Sequence, residues 1–161
     1  MIGALMYLSK ILLEFLPNIH LLGVFIVALT VVYRVKALIP IYVFVLITGY
    51  FNGFSLWWIP YLYIWTVLWG MTMLLPKNMP KKVRPFVYCA VSALHGLAYG
   101  ALYAPFQALM FGLTFKQTLA WIAVGFVPWD LIHAAGNAAT GVLIVPLITL
   151  LNKLKAAYEK N

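Results

Sequence analysis

The chain has 161 residues, 65% of them hydrophobic and only 9% charged, with a formal net charge of +8 at pH 7. A water-soluble domain of this size covers itself with charged side chains and alternates apolar and polar helix faces, so this composition excludes that class and names lipid as the expected solvent. The basic excess does not read as a nucleic-acid surface, because Lys and Arg gather at the ends of apolar runs, where membrane topology accounts for them.

At about 20 residues per membrane-spanning helix, one all-α domain over 1–161 has room for roughly six spans. The first apolar run, 2–16, closes at Pro17-Asn18. It has no basic flank before it and no small-residue cleavage site after it, so it reads as a retained helix rather than a removed leader. The second run, 19–33, stops at Arg34-Val35-Lys36, and the third, 37–51, stops at Asn52-Gly53. The fourth, 56–75, ends at Pro76 and is followed by a basic loop carrying Lys77, Lys81, Lys82 and Arg84. Pro85 is a favourable first-turn residue for the fifth run, 85–103. The segment 104–127 is apolar but interrupted by Pro105, Gln107, Gly112, Lys116, Gln117 and Gly125. It is expected to be a partly embedded cap, either a re-entrant pair of short helices or a loop folded over the bundle. Pro128 then opens the last run, 128–151, which is followed by Lys153, Lys155 and Lys160.

Charge placement supports this count. With the amino terminus in the cytoplasm, five crossings and a non-crossing 104–127, the last run returns to the cytoplasm. Arg34, Lys36, Lys77, Lys81, Lys82, Arg84, Lys153, Lys155 and Lys160 then lie inside, nine of the 11 Lys and Arg residues, as the positive-inside rule requires. Both termini are therefore expected to be cytoplasmic. No internal repeat is visible, which weakens an inverted-repeat carrier. The lone Cys89 sits in an apolar run, so no internal disulfide exists and a small packing residue is the expectation.

Few polar side chains lie within these runs. Asp130, His133 and Asn137 fall at i, i+3 and i+7, on one face of the last helix near its outer end. Ionisable groups within a span face the bundle interior, and a helix beginning at Pro128 would offer free N–H groups to a polar ligand. One reading is a substrate site. The other is a dipole-stabilised Asp, with His and Asn tying helices together. His95 lies midway along the fifth run beside Gly96 and Gly100, a small-xxx-small pair suited to close packing, and is either a satisfied interior histidine or a ligand contact. His20, beside Asn18, either meets an entering substrate or reaches water. Trp58, Tyr61, Trp65 and Trp69 form an aromatic stripe at helical spacing, read as interfacial belt and packing or as a stacking wall for a flat ring, with Trp121 and Trp129 nearby. Lys10 and Glu14, at i and i+4, either neutralise one another or face a partner. The histidines and Asp130 carry no metal-ligand spacing, so neither a metal nor another cofactor is expected.

The motif Gly125-Phe126-Val127-Pro128-Trp129-Asp130-Leu131-Ile132-His133-Ala134-Ala135-Gly136-Asn137, together with His95-Gly96-Leu97-Ala98-Tyr99-Gly100, the chain's size and its six-span plan, resembles the S components of energy-coupling factor transporters. These are the membrane-embedded substrate-binding subunits of bacterial vitamin importers. The likeness covers nearly the whole chain. It implies a multi-pass subunit of the bacterial plasma membrane that captures a small vitamin-like or heterocyclic micronutrient at its outer face. It also implies work with a transmembrane T component and two cytoplasmic ATPases, since this chain has no phosphate-binding loop and is not itself an enzyme. On that reading the substrate is held by Asp130, His133, Asn137, His95, Trp58, Tyr61, Trp65 and Trp129. Many members dock the T component through an Ala-x-x-x-Ala face on the first helix. Here Ala4 is followed by Leu8, and Gly3, Ala4 and Ser9 supply the small residues instead. The start Met1-Ile2-Gly3 lacks the Met-x-His of metal-importing members, so a metal cargo is not expected. Two other readings remain open: a stand-alone proton-coupled carrier using Asp130 and His133, and a non-transport membrane bundle protein.

Overall fold

The computed structural model describes residues 1–159, so Lys160, one of the nine basic residues assigned to the cytoplasm, lies outside the described residues. Among the described residues the secondary structure is entirely helical. Nine α-helices are joined by short 3₁₀ and π segments: α1 Ile2–Leu12, α2 Leu22–Tyr33, α3 Leu38–Asn52, α4 Tyr61–Met73, α5 Arg84–Leu97, α6 Tyr99–Phe111, α7 Phe115–Gly125, α8 Leu131–Thr140 and α9 Ile144–Tyr158. Three continuous helical stretches, Leu22–Asn52, Arg84–Phe111 and Phe115–Tyr158, are long and apolar enough to cross a membrane. Ile2–Leu12 is a shorter apolar helix. Large apolar side chains such as Leu12, Phe15, Ile39, Phe86, Leu109 and Phe115 stand exposed around the molecule. That surface suits hydrocarbon rather than water, and the chain has the build of a membrane protein.

The first long stretch reverses direction at Arg34, whose backbone leaves the helix at φ 55° and ψ −122°. Arg34 Nη2 donates to the Met73 carbonyl at 3.1 Å, and Trp69 Nε1 donates to the Arg34 carbonyl at 3.1 Å, so the end of α2 lies beside the end of α4. From there α3 runs back along α4. Tyr42 Oη donates to the Leu62 carbonyl at 3.0 Å, and Trp58 Nε1 donates to the Val45 carbonyl at 2.8 Å. The principal packing pairs are α5 with α8, α2 with α9, α1 with α3 and α2 with α4. The core centres on α2, which buries Leu22, Ile26, Val27 and Leu29 against Phe44, Trp65 and Leu68.

The fourth run is not one helix. Pro60 stands at the amino-terminal cap of α4, and Leu56–Trp58 form a separate 3₁₀ turn. Proline fixes φ and brings no N–H, so the helix begins at the ring rather than passing through it. The stripe Trp58, Tyr61, Trp65 and Trp69 is thereby broken, and Trp58 lies on the turn against Phe54.

The segment 104–127 is helical almost throughout, a correction to the loop alternative. α5 continues through a hitch at Ala98 (φ −87°, ψ −1°) into α6, which carries Pro105 inside it. α6 and α7 then form an antiparallel hairpin. Gly112 turns the chain at φ 62°, left-handed geometry that glycine adopts without a Cβ clash. Thr114 caps α7 in a reciprocal box with Gln117. At 1.5 Å per residue the stretches of 28 and 44 residues reach about 42 and 66 Å, more than the ~30 Å hydrocarbon core.

Pro128 does not start a helix. The helix runs unbroken from α7 to α8 through a π segment, Phe126–Asp130. Widening to i→i+5 bonding accommodates the proline's missing N–H, so no free helix amino terminus faces a ligand at this point.

Candidate functional site

A cavity of about 560 Å³ lies between the α6–α7 hairpin, the π segment and the α1–α2 connection. It sits at the end of the bundle opposite Arg34 and the 76–83 loop. Its walls are largely aromatic and aliphatic: Tyr99 and Tyr103 from α6, Trp121 and Ile122 from α7, and Trp129 from the π segment. Tyr103 and Trp121 stack with ring centroids 6.0 Å apart and planes 24° apart, making a flat wall. Asn18, Asp130 and His133 add an amide, a carboxyl and an imidazole to the lining.

Asp130 is 3% exposed, and its Oδ1 accepts a hydrogen bond from the Gly100 backbone N–H at 3.0 Å. Glycine is required opposite it. A Cβ on residue 100 would stand 2.5 Å from Asp130 Oδ2. The sequence pair Gly96 and Gly100 thus marks two close approaches: Gly96 on α5 faces His133, Ala134 and Asn137 of α8, and Gly100 at the start of α6 admits the Asp130 carboxylate of the π segment. His133 is also 3% exposed and lines the cavity with its Nε2 unpartnered.

Behind this cavity lies a nest of rings centred on Trp65, which is 1% exposed. Tyr61 stands 5.4 Å from it, and His20 and His95 both 5.9 Å. His133 touches the nest through His20 at 4.8 Å and Tyr99 at 4.9 Å. His95 Nε2 donates to the Ile64 carbonyl at 3.0 Å, which sets its tautomer and leaves Nδ1 an unpartnered acceptor. Trp65 Nε1 and His20 Nδ1 are unpartnered too. So many buried, unsatisfied polar atoms in one neighbourhood are unusual for a folded interior.

The candidate site residues therefore separate into groups. Asp130, His133 and Trp129 line the large cavity. Tyr61 lines a smaller adjoining one, and His95 and Trp65 stand behind both. Asn137 lies deeper, where its Nδ2 donates to the Ser92 carbonyl at 2.9 Å, and it serves the α5–α8 contact. Trp58 is turned to Val45. Of the first-helix residues, Gly3 is buried against Pro40 and Val43, Ser9 Oγ donates to the Met6 carbonyl at 2.7 Å, and Ala4 is exposed. Sequence reasoning did not place Tyr99, Tyr103 or Asn18 in the site. The continuity of the fifth run past 103 was the signal that would have carried the two tyrosines there. Cys89 Sγ donates to the Ala138 carbonyl at 3.3 Å and packs against Gly141. Among the described residues no three His, Cys, Asp or Glu side chains converge as a metal site.

No family model, curated protein or solved structure matches this chain.

Proposed function

We propose that the chain is a substrate-binding membrane subunit of the S-component kind, which captures a small, ring-bearing molecule in the large cavity. The observation that carries this reading is the 560 Å³ aromatic cavity at the bundle end remote from the basic loops, with Asp130 and the unpartnered His133 Nε2 in its lining. Pockets that bury a small ligand are mostly apolar, with a few placed polar groups, as here.

The proposal includes six membrane-crossing elements. α1, α2, α3 and α4, each shorter as a helix than the ~30 Å hydrocarbon core, are four on this reading together with their flanking apolar turns, the α5–α6 helix is the fifth and the helix from α7 to α9 the sixth. The basic residues of 34–36, 76–84 and 153–155 then face the cytoplasm with both termini, and the cavity opens outward. On this reading a T component and two ATPases of the bacterial plasma membrane drive transport, since the sequence has no phosphate-binding loop of its own.

The test is native mass spectrometry of the chain gently purified from its expressing cells. A retained small molecule, lost in Asp130→Ala without loss of the fold, is the expected result. Retention unaffected by Asp130→Ala removes that residue from the site. A chain that retains nothing and co-purifies with no ATPase refutes the reading and favours a non-transport bundle protein. Uptake by vesicles lacking any ATPase, collapsing with the proton gradient, favours a proton-coupled carrier.

A further inference from the structure

A second, smaller cavity of about 180 Å³ adjoins the first and shares Asn18, Tyr99 and His133 with it. Its remaining wall brings together Lys10, Glu14 and His20 with Tyr61. Lys10 and Glu14 are four residues apart, the spacing of a helical ion pair. They do not form one: among the described residues the single ion pair is Lys155–Glu159. The chain leaves α1 at Leu12, so Glu14 falls in the turn beyond it and is exposed, while Lys10 stays on the helix, half-buried at the cavity wall. The unpartnered His133 Nε2 belongs to a ring shared by the two cavities and the unpartnered His20 Nδ1 to a ring of the smaller one, and the two ring centroids are 4.8 Å apart.

Building on the capture reading, we propose that the two cavities are lobes of one site, and that its substrate is a flat ring compound carrying a single carboxylate. The ring lies in the large lobe between the Tyr103–Trp121 wall and Trp129, where a ring N–H can donate to Asp130. The carboxylate passes His133 into the small lobe and meets Lys10. Lys10 has no ion-pair partner among the described residues, so its ammonium is available to an anionic group arriving with the ligand. Buried imidazole N–H groups are further donors to such an anion. Glu14 lines the same lobe, and its negative charge disfavours a dianion such as phosphate more than a monoanion. Lys10, Glu14 and His20 are thereby specificity residues, and Lys10 is the principal one.

The experiment is calorimetric titration of the full chain in nanodiscs with three probes that share one N–H ring: indole, indole-3-acetate and tryptamine. Indole-3-acetate is expected to bind at least tenfold more tightly than the other two. Lys10→Ala should erase that gap, Lys10→Arg should keep most of it, and melting temperatures should confirm that both variants fold. Indole or tryptamine binding as well as indole-3-acetate overturns the proposal, as does a gap that survives Lys10→Ala. The two readings fail separately. A wild-type chain that retains a small molecule in native mass spectrometry but shows no carboxylate preference sinks the two-lobe proposal and leaves capture standing. A chain that retains nothing and takes none of the probes sinks both.

Discussion

Replacing Gly100 by alanine tests the geometry of the site in one methyl group. The new Cβ would stand 2.5 Å from Asp130 Oδ2 and 3.1 Å from Oδ1. Carbon–oxygen contacts settle near ~3.4 Å, so the carboxylate must retreat by about 1 Å. Retreat stretches the 3.0 Å bond from the Gly100 N–H beyond useful range. Overpacking of this kind costs about 1–3 kcal/mol, and a hydrogen bond to a charged group contributes about 1.5–3 kcal/mol. The two losses overlap because one movement relieves the first by causing the second, so about 2–3 kcal/mol is expected in total. For a chain of this size that lowers the melting temperature by roughly 4–12 °C. The displaced carboxylate should also weaken indole-3-acetate binding by about 10- to 100-fold, at about 1.4 kcal/mol per decade. Asp130→Asn is the paired variant. It keeps the shape and the bond from Gly100, so binding should fall while the melting temperature moves much less. Gly100→Ala with unchanged melting and unchanged binding would refute the close approach of α6 to Asp130 and the role assigned to that carboxylate.

Trp65→Ala should cost about 3–5 kcal/mol by emptying the centre of the ring nest, and Trp65→Phe clearly less; thermal melts in detergent check the order. Asn137→Ala removes the bond to the Ser92 carbonyl and should lower stability by about 1 kcal/mol, the usual worth of a polar contact between membrane helices. Ligand retention should persist in that variant, because Asn137 does not line the cavity. At Arg34, φ 55° is left-handed, a conformation that costs a non-glycine residue about 1–3 kcal/mol. Arg34→Ala loses the bond to Met73 and keeps the strain, whereas Arg34→Gly loses the bond and relieves it. The glycine variant should therefore melt higher than the alanine variant.

The helical class was legible because apolar runs without alternation leave few other folds, and the ends of α2 and α3 fall within a few residues of the expected boundaries. What misled were the prolines. Pro128 looks like a helix start, yet a π turn carries the chain through it; Pro105 looks like a terminator, yet α6 continues around it. A proline's cost depends on whether the carbonyl it orphans finds another partner, and that is settled by three-dimensional packing, not by local sequence. Pro60 acted as its type suggests, and the apparent regular spacing of Trp58 with Tyr61 concealed it. Asp130 and His133 could be picked out because ionisable groups are rare in this chain. Asn137 shares their face, but a helix turn of about 5 Å separates it from the cavity, and spacing on a wheel carries no depth. The Lys10–Glu14 spacing suggested a pair because the sequence does not show that α1 ends between them.

Both long helices depart from α geometry at the level of the cavity, α5–α6 at Ala98 and α7–α8 through Phe126–Asp130. On one side of these breaks, Gly96, the Asn137–Ser92 bond and the Cys89–Ala138 bond lock α5 to α8. On the other, the α6–α7 hairpin is closed by Gly112 and by its own Thr114–Gln117 box. The cavity therefore lies at the joint between two self-supporting halves of one helical pair. Tyr99 and Trp129 sit in the joint itself, while Trp121 belongs to the hairpin and His133 to the locked bundle. A ligand touching all four would span the joint, so its binding energy also resists bending there. Under the proposed capture function, that coupling is how cargo in the pocket would be felt by the body of the subunit.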